Sequence, residues 1–271
     1  MTSARDLHGP QGLQSVDRAV RIIEALADGP ATLSAIATTT GLSDATAMRY
    51  LGGLASHGLV ERDDGTRRYR IGMRMFILGR SALGGRDFMT MATSVMTRLV
   101  EEYDETINLG ARAGDDLVIV HAFESSQQIR KGASVGEKDN WHSSGLGKAI
   151  LSTLEDGEVE RLMDQQQMVQ LTARTLTTMD DLRRDLERIR ERGFGIDDEE
   201  SAEGLRCVAV PIRDASGRAR YAISVSGPSY RLSHSRLQHI GNSIRYQTKV
   251  LTALLAGDPS AGGPQNRSDA R

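Results

Sequence analysis

The 271-residue chain holds a single cysteine, Cys207. One thiol excludes an internal disulfide and any zinc site built from several cysteines. Long apolar runs are also missing. None approaches the roughly 18 residues of a membrane-spanning helix, so no membrane partner is expected. The opening stretch MTSARDLHGPQG has no apolar core and does not read as a secretory signal, which makes a cytoplasmic protein the expectation. Nor is there a surplus of positive charge. Lys and Arg number 34 against 36 Asp and Glu, a net charge of −2, so overall charge does not advertise nucleic acid. Zinc-protease and metal signatures are absent too: the sequence contains no HExxH and no metal-spaced cluster. A nucleophilic thiol needs a base, and none of the six scattered His is tied by any motif to Cys207. No metal, no cofactor and no catalytic residue is expected; a thiol enzyme using Cys207 is the minor alternative.

What remains is a composition of 39% hydrophobic and 26% charged residues, that of a globular protein long enough for two domains. Residues 1–14 and the tail 257–271 are rich in Gly, Pro, Ser and charge and are expected to be disordered.

Between these ends, residues 15–72 crowd three helical patterns and a hairpin. Val16, Ala19, Val20, Ile23 and Leu26 recur at helical spacing after Ser15, a candidate N-cap. Thr32 caps LSAIATTT, Gly41 makes a turn, and Ser43 caps DATAMRYLGGLASHG. Helix, tight turn with Gly, capped helix is the pattern of a helix-turn-helix. Gly52-Gly53 interrupts the third helix, which must be held by packing or bend there. LVER and RRYRIG then form strand-like runs around DDGT. Residues 1–75 carry nine Arg against eight acids, yet five of those Arg (62, 67, 68, 70 and 74) lie on or beside the hairpin. Such a wing can reach phosphates or the minor groove, with Arg67 and Arg68 the candidates at its turn. On the third helix Ser43, Thr46 and Arg49 lie opposite much of the apolar set and are candidates for phosphates and base edges.

Residues 73–85 read as a linker helix, and five of the ten Met fall between 73 and 96, as flexible packing material. From Thr106 the pattern changes. TINLGARAG and LVIVHAFES form a hairpin around GDD, and QQIRKGASV (127–135) reads as a third strand. Three helical segments follow, then a hairpin of CVAVPIR and ARYAISVSG around DASG, then a long helix over about 234–256. Hairpins with segregated helices predict an α+β domain over 86–256 rather than a doubly wound parallel sheet.

A four-residue DASG loop would put Cys207 opposite Ser224 and Leu205 opposite Ser226. Val208, Val210, Ile223 and Val225 then share one face; Cys207, Ala209, Ala222, Ser224 and Ser226 share the other. A three-residue loop with Gly217 left-handed would slip the register by one. Small, mildly polar residues suit either a ligand pocket or a covering helix. In HSSGLGKAIL (142–151), Ser143 or Ser144 caps a helix whose first free N–H groups include Gly145 and Leu146, a setting that attracts a carboxylate. It is not a phosphate loop, because GK is not followed by Ser or Thr. His142 reads as a structural hydrogen-bonding residue and Lys148 as a solvated helix charge.

QSVDRAVRIIEAL (14–26), LSAIATTTGLSDATAMRYLGGLASHGLVER (33–62) and YRIG (69–72) resemble the IclR (isocitrate-lyase-regulator) family of bacterial transcription factors. HSSGLGKAIL and RERGFGIDDEESAEGLRCVAVPIRDASGRARYAISVSGP (190–228) extend the resemblance across residues 14–256. It implies a winged helix-turn-helix that binds palindromic operator DNA as a homodimer or a dimer of dimers, and a GAF-like domain with a six-stranded antiparallel sheet flanked by helices. In members that bind small oxo-acids, the effector lies where this chain has Gly145, Leu146, Asp197, Leu205, Cys207, Ser224 and Ser226. One departure stands out: Asn140 and Trp141 replace the family's Pro and aliphatic residue before His142. Trp141 either narrows the pocket mouth or packs at the surface or between subunits. The expected function is a DNA-binding regulator, a repressor rather than an activator, controlled by a small organic acid and located in the cytoplasm on the nucleoid.

Overall fold

A computed structural model describes residues 14–82 and 85–256. The tail 257–271 and, apart from Gln14, the expected N-terminal arm lie outside the described residues. The chain divides into two compact units after Arg86.

In the first unit, α1 (Gln14–Glu24), α2 (Leu33–Thr40) and α3 (Asp44–Ser56) precede strands β1 (Val60–Arg62) and β2 (Tyr69–Ile71) and helix α4 (Met73–Ala82). Local capping sets this order. The Thr32 hydroxyl accepts from Ala35 N–H, Gly41 ends α2 at φ 66°, and the Ser43 hydroxyl accepts from Thr46 N–H. Ser15 is not a cap, since it lies inside α1. Ile22, Leu26, Ile36, Leu51, Leu54, Val60 and Tyr69 form the core. Helix α3 runs through Gly52-Gly53, where added Cβ atoms would meet nothing within 4 Å. Buried Leu51 and Leu54 hold it on the opposite side.

Helix α5 (Gly85–Tyr103) opens the second unit from Asp87 onward. Strands β3 (Thr106–Ala113), β4 (Asp116–Phe123) and β5 (Lys138–Asp139) follow. Next come α6 (Gly145–Leu151), α7 (Asp156–Gln166) and α8 (Met179–Arg192). Strands β6 (Gly195–Asp198), β7 (Leu205–Arg213) and β8 (Ala219–Pro228) complete a six-stranded antiparallel sheet of order β5-β4-β3-β8-β7-β6. Helices α9 (His234–Gln247) and α10 (Lys249–Leu255) end the described chain. The expected single last helix is thus divided at Thr248, whose hydroxyl donates to Ile244 C=O at 2.8 Å.

One sheet face packs Val208, Val210, Ile212, Ile223 and Val225 against α5, α9 and α10. The other packs Ala209 and Ala222 with residues of α6, α7 and α8. QQIRKGASV does not form the expected strand. The Asp104 carboxylate accepts from Ser126 N–H at 2.9 Å and from Gln127 Nε2 at 2.6 Å, and Glu124 pairs with Arg130. These contacts turn residues 124–137 into a strap that joins β4 only at its end, through Gly136 and Glu137 on Ile119 and through the paired Lys138–Asp139. The short edge strand β6 was not anticipated.

The β7–β8 register also corrects the expectation. Gly217, at φ 81°, closes a turn onto Asp214 C=O, and Asp214 N–H bonds Arg218 C=O at 2.8 Å, a three-residue loop. That shifts the pairing by one. An irregularity at Ile212/Arg213 shifts it again, so Cys207 faces Ser226, Ala209 faces Ser224, and Leu205 faces Pro228. Two slips preserve the partition of faces, because side chains alternate with period two.

Candidate functional site

Ser43, Thr46 and Arg49 all sit on the first half of α3 or its cap. The Ser43 hydroxyl is partly committed, since it accepts Thr46 N–H and donates to the Thr46 hydroxyl at 2.9 Å. Arg49 is exposed, its guanidinium over the Tyr50 ring at 5.5 Å. In the wing, the Asp63 carboxylate accepts Thr66 N–H at 2.6 Å and fixes the turn. Arg70 is committed to Glu61 at 2.9 Å. The backbone N–H of Met73, then Arg70, holds the Glu61 carboxyl below its ordinary value. Arg67, at φ 55°, and Arg68 are exposed and form no ion pair among the described residues. Two arginines at the wing turn and one on α3 are therefore available to phosphates and bases.

In the second unit the sheet lays two polar rows side by side. Thr106, Ser226, Cys207 and Asp197 occupy successive paired positions across β3, β8, β7 and β6; Asn108, Ser224, Ala209 and Gly195 form the next row. Helix α6 presses on the second half of both. A Cβ on Gly145 would stand 2.8 Å from Cys207 Sγ, and one on Gly195 2.7 Å from Gly145 C=O. Gly147 lies still tighter, an added Cβ falling 2.4 Å from Trp141 C=O. The small residues on β6 and β7 thus admit the covering helix. Leu146 packs its side chain over Gly110, and Leu205 is half-buried two pairs beyond Cys207. Ser144, not Ser143, caps α6 through Gly147 N–H at 3.0 Å.

The remaining half of the rows is different. The Ser224 and Ser226 hydroxyls and Asn108 Oδ1 are buried and find no nitrogen or oxygen partner among the described residues, the two hydroxyls adjoining only the weakly bonding Cys207 thiol. The Ser143 hydroxyl, 0% exposed, is likewise unpartnered. Such groups cost about 1–3 kcal/mol each when left unpaired, so their concentration points to a ligand that supplies the partners.

Asp197 plays another part. Its carboxylate accepts from Glu200 N–H at 2.7 Å and from Ser201 N–H and hydroxyl. Burial pushes its carboxyl upward while these bonds oppose. It fixes the loop after β6. Lys148 overturns the solvated reading. It is 0% exposed, its ammonium 2.9 Å from Asp185 and 2.5 Å from Glu200. Its place on α6 faces inward, and the two carboxylates compensate its charge. Burial pushes Glu200 up to about 7. His142 is structural, Nε2 meeting Val169 C=O at 3.0 Å. Trp141 is neither at a pocket mouth nor on the surface: it is 1% exposed in the core, its indole N–H donating to Asp115 C=O at 2.8 Å. Burial, with the Asp197 charge added, pushes the Cys207 thiol up to about 11, which leaves almost no thiolate near neutral pH.

Sequence reasoning missed Thr106, Asn108, Lys131 and Asp139. Thr106 and Asn108 alternate on β3 and so share a face, but only the sheet order reveals that they join Ser226 and Ser224.

A winged helix-turn-helix followed by an α+β unit with a polar buried patch is the plan of a DNA-binding transcriptional regulator. The model for the bacterial transcriptional regulator IclR C-terminal domain matches residues 80–251, and that for the IclR helix-turn-helix domain matches residues 15–64. The chain belongs to the IclR family. It is 32% identical over 252 residues to the HTH-type transcriptional regulator BhcR of Paracoccus denitrificans, covering 93% of this chain and 90% of that protein. To the acetate operon repressor of Salmonella typhimurium it is 32% identical over 249 residues, covering 90% and 91%. The crystal structure of the Thermotoga maritima IclR superimposes with a TM-score of 0.70 at 25% identity, covering 90% of this chain and all of that one. The family and these relatives are transcriptional regulators, not enzymes.

Proposed function

We propose that the protein is a cytoplasmic repressor, bound to the nucleoid through operator DNA and controlled by a small organic acid. The observation that carries the effector reading is the set of buried, unpartnered polar atoms on Asn108, Ser224 and Ser226. The repressor sign is supported by the likeness to the acetate operon repressor. In this reading residues 15–72 read DNA through Ser43, Thr46, Arg49, Arg67 and Arg68, residues 73–85 link, and residues 86–256 form a GAF-like effector domain. Ser224 and Ser226 touch the effector; Gly145, Leu146, Leu205 and Cys207 wall it; Asp197 holds the adjoining loop.

The protein acts as a homodimer or dimer of dimers on palindromic half-sites. Exposed Met73 and Ile77 on α4 supply apolar surface for that assembly. Two winged domains engage half-sites about 34 Å apart, or a multiple of that. Effector binding alters their spacing, and a coupling of about 1–3 kcal/mol changes operator affinity roughly 5- to 150-fold. Gel-shift against the DNA upstream of the coding sequence, with competitor DNA present, tests this. Arg49→Ala should weaken retention without altering effector affinity, and Ser224→Ala with Ser226→Ala should abolish the effector response while operator binding persists. Retention no better than that of competitor DNA would refute the regulator reading.

A further inference from the structure

The strap passes over the unpartnered half of the polar rows. Thr106 holds it there, its hydroxyl donating to Lys131 C=O at 2.6 Å. Thr106 is paired directly with Ser226, so Lys131 is anchored one strand away from an unpartnered hydroxyl. From the far side, Gly136 N–H and Glu137 C=O bond Ile119 on β4 at 2.8 and 2.9 Å. Asn108, Ile119, Lys131, Glu137, Lys138 and Asp139 line a cavity of about 90 Å³ beneath this strap, and Asn108 joins it to the polar rows, being paired with Ser224 on the next strand. At roughly 30 Å³ per water molecule this admits about three waters, or an organic molecule of two to four carbons.

Lys131 is the cation at this cavity without an ion pair: Lys138, also on its wall, is 2.7 Å from Asp116, whereas no carboxylate lies within 4 Å of the Lys131 ammonium among the described residues. Its charge nonetheless reaches inward, opposing the rise of the Asp139 carboxyl and of the Cys207 thiol. Two acids share this wall, half-buried Asp139, which spends Oδ1 on Asn140 N–H at 2.9 Å, and Glu137, whose residue is exposed to solvent.

We propose that Lys131 is the charge-selecting residue of the effector pocket: its ammonium pairs with an anionic group of the ligand, while Asn108, Ser224 and Ser226 hold the ligand's neutral oxygens. This rests on the reading of the polar rows as the effector site. Within the small organic acids of that reading, Lys131 selects the acid over its uncharged amide. Lys131 stands on the strap and not on the sheet, so the residue that reads charge belongs to the segment that covers the ligand. A charge-assisted hydrogen bond is about twice as strong as a neutral one, which gives the preference its physical source.

Isothermal titration of the full-length protein with pyruvate, glycolate and malonate, each beside its amide, tests this. At least one acid should bind about tenfold more tightly than its amide. Lys131→Met should remove that preference and Lys131→Arg should keep most of it, with both variants melting like wild type because the side chain is partly exposed. Equal binding of acid and amide, an acid preference that survives in Lys131→Met, or no binding by any of the acids would overturn the proposal. Ser224→Ala with Ser226→Ala separates it from the reading beneath. If that pair abolishes binding and Lys131→Met does not, only the role of Lys131 fails. If Lys131→Met alone abolishes binding, the polar rows are not the effector site, and the proposal falls with them.

Discussion

The two faces of the central sheet are built from the same strands, yet they follow different rules. Toward α5 and α9, the sheet offers Val208, Val210, Ile212, Ile223 and Val225, all buried in one apolar cluster. Toward α6 and the strap it offers Thr106, Asn108, Cys207, Ser224 and Ser226, also buried but with three unpartnered polar atoms among them. Alternate residues of β8 therefore differ in kind: Ile223 and Val225 pack into the apolar cluster, while Ser224 and Ser226 are buried polar groups that cost stability. The contrast separates a face that holds the fold from one that the proposed function assigns to the effector.

The largest effect expected on the polar side comes not from the rows but from Lys148, the charge that ties α6 to α8 and to the loop after β6. Lys148→Met leaves buried Glu200 without a counter-charge and half-buried Asp185 with only Arg192 at 3.8 Å, and should destabilise the second unit by about 3 kcal/mol or more at pH 8. Glu200 titrates at about 7 in the fold against 4.5 in the unfolded chain. Its proton therefore favours the folded state below about pH 4.5, and that contribution is lost as pH rises through about 7. The Lys148→Met penalty should accordingly shrink at pH 5, where Glu200 is neutral, and Glu200→Gln should recover part of it at pH 8. Urea unfolding at both pH values reads this, and a penalty independent of pH would show that Glu200 is not the coupled group.

On the apolar face Ile223→Ala should cost about 3 kcal/mol, since the residue is 0% exposed and its neighbours cannot collapse fully into the space. Denaturant titration should show this loss with the m-value unchanged. A change below about 1 kcal/mol would mean that this face packs less tightly than its burial indicates.

How much of this contrast could be read beforehand depends on how local its causes are. The first unit was legible through Thr32, Gly41 and Ser43, because caps and turns act over three or four residues. The partition of β7 and β8 into faces was legible too, although the pairing was not. Gly217 and the irregularity at Ile212/Arg213 each moved the register by one, and only their parity protected the inference. Lys148 was misread because its partners, Asp185 and Glu200, are distant in sequence, and nothing in GLGKAIL shows which side of the helix is covered. Asn108 escaped for the same reason: its value comes from lying beside Ser224, a fact of strand order. Trp141 kept its two readings open until its indole was found bonded to Asp115 in the core.

Gly145 marks the boundary between the two halves of the polar face. Gly145→Ala should cost about 1–3 kcal/mol, because its Cβ would stand 2.8 Å from Cys207 Sγ. Cys207→Ala removes that atom, so the double variant should regain most of the loss, giving a coupling of about 1 kcal/mol or more. Thermal or chemical unfolding of the four proteins measures it. Additive losses would show that Cys207 does not set the approach of α6, and its role would return to ligand contact alone.

The smallest effect on stability is the most discriminating for function. Ser224→Ala and Ser226→Ala delete hydroxyls with no nitrogen or oxygen partner among the described residues, so each forfeits at most a weak contact with the Cys207 thiol. Each should leave the unliganded protein within about 1 kcal/mol of wild type, and a small gain is in keeping with removal of an unpaired buried polar group. The same change on a face that existed only for packing would be silent in every assay. Here it should abolish effector-dependent release from DNA while the melting curve stays in place. Unchanged stability with an intact response would assign the small residues to helix packing and leave the polar face without a ligand. A large loss of stability would mean that these hydroxyls have partners after all, and the difference between the two faces would narrow to one of residue size.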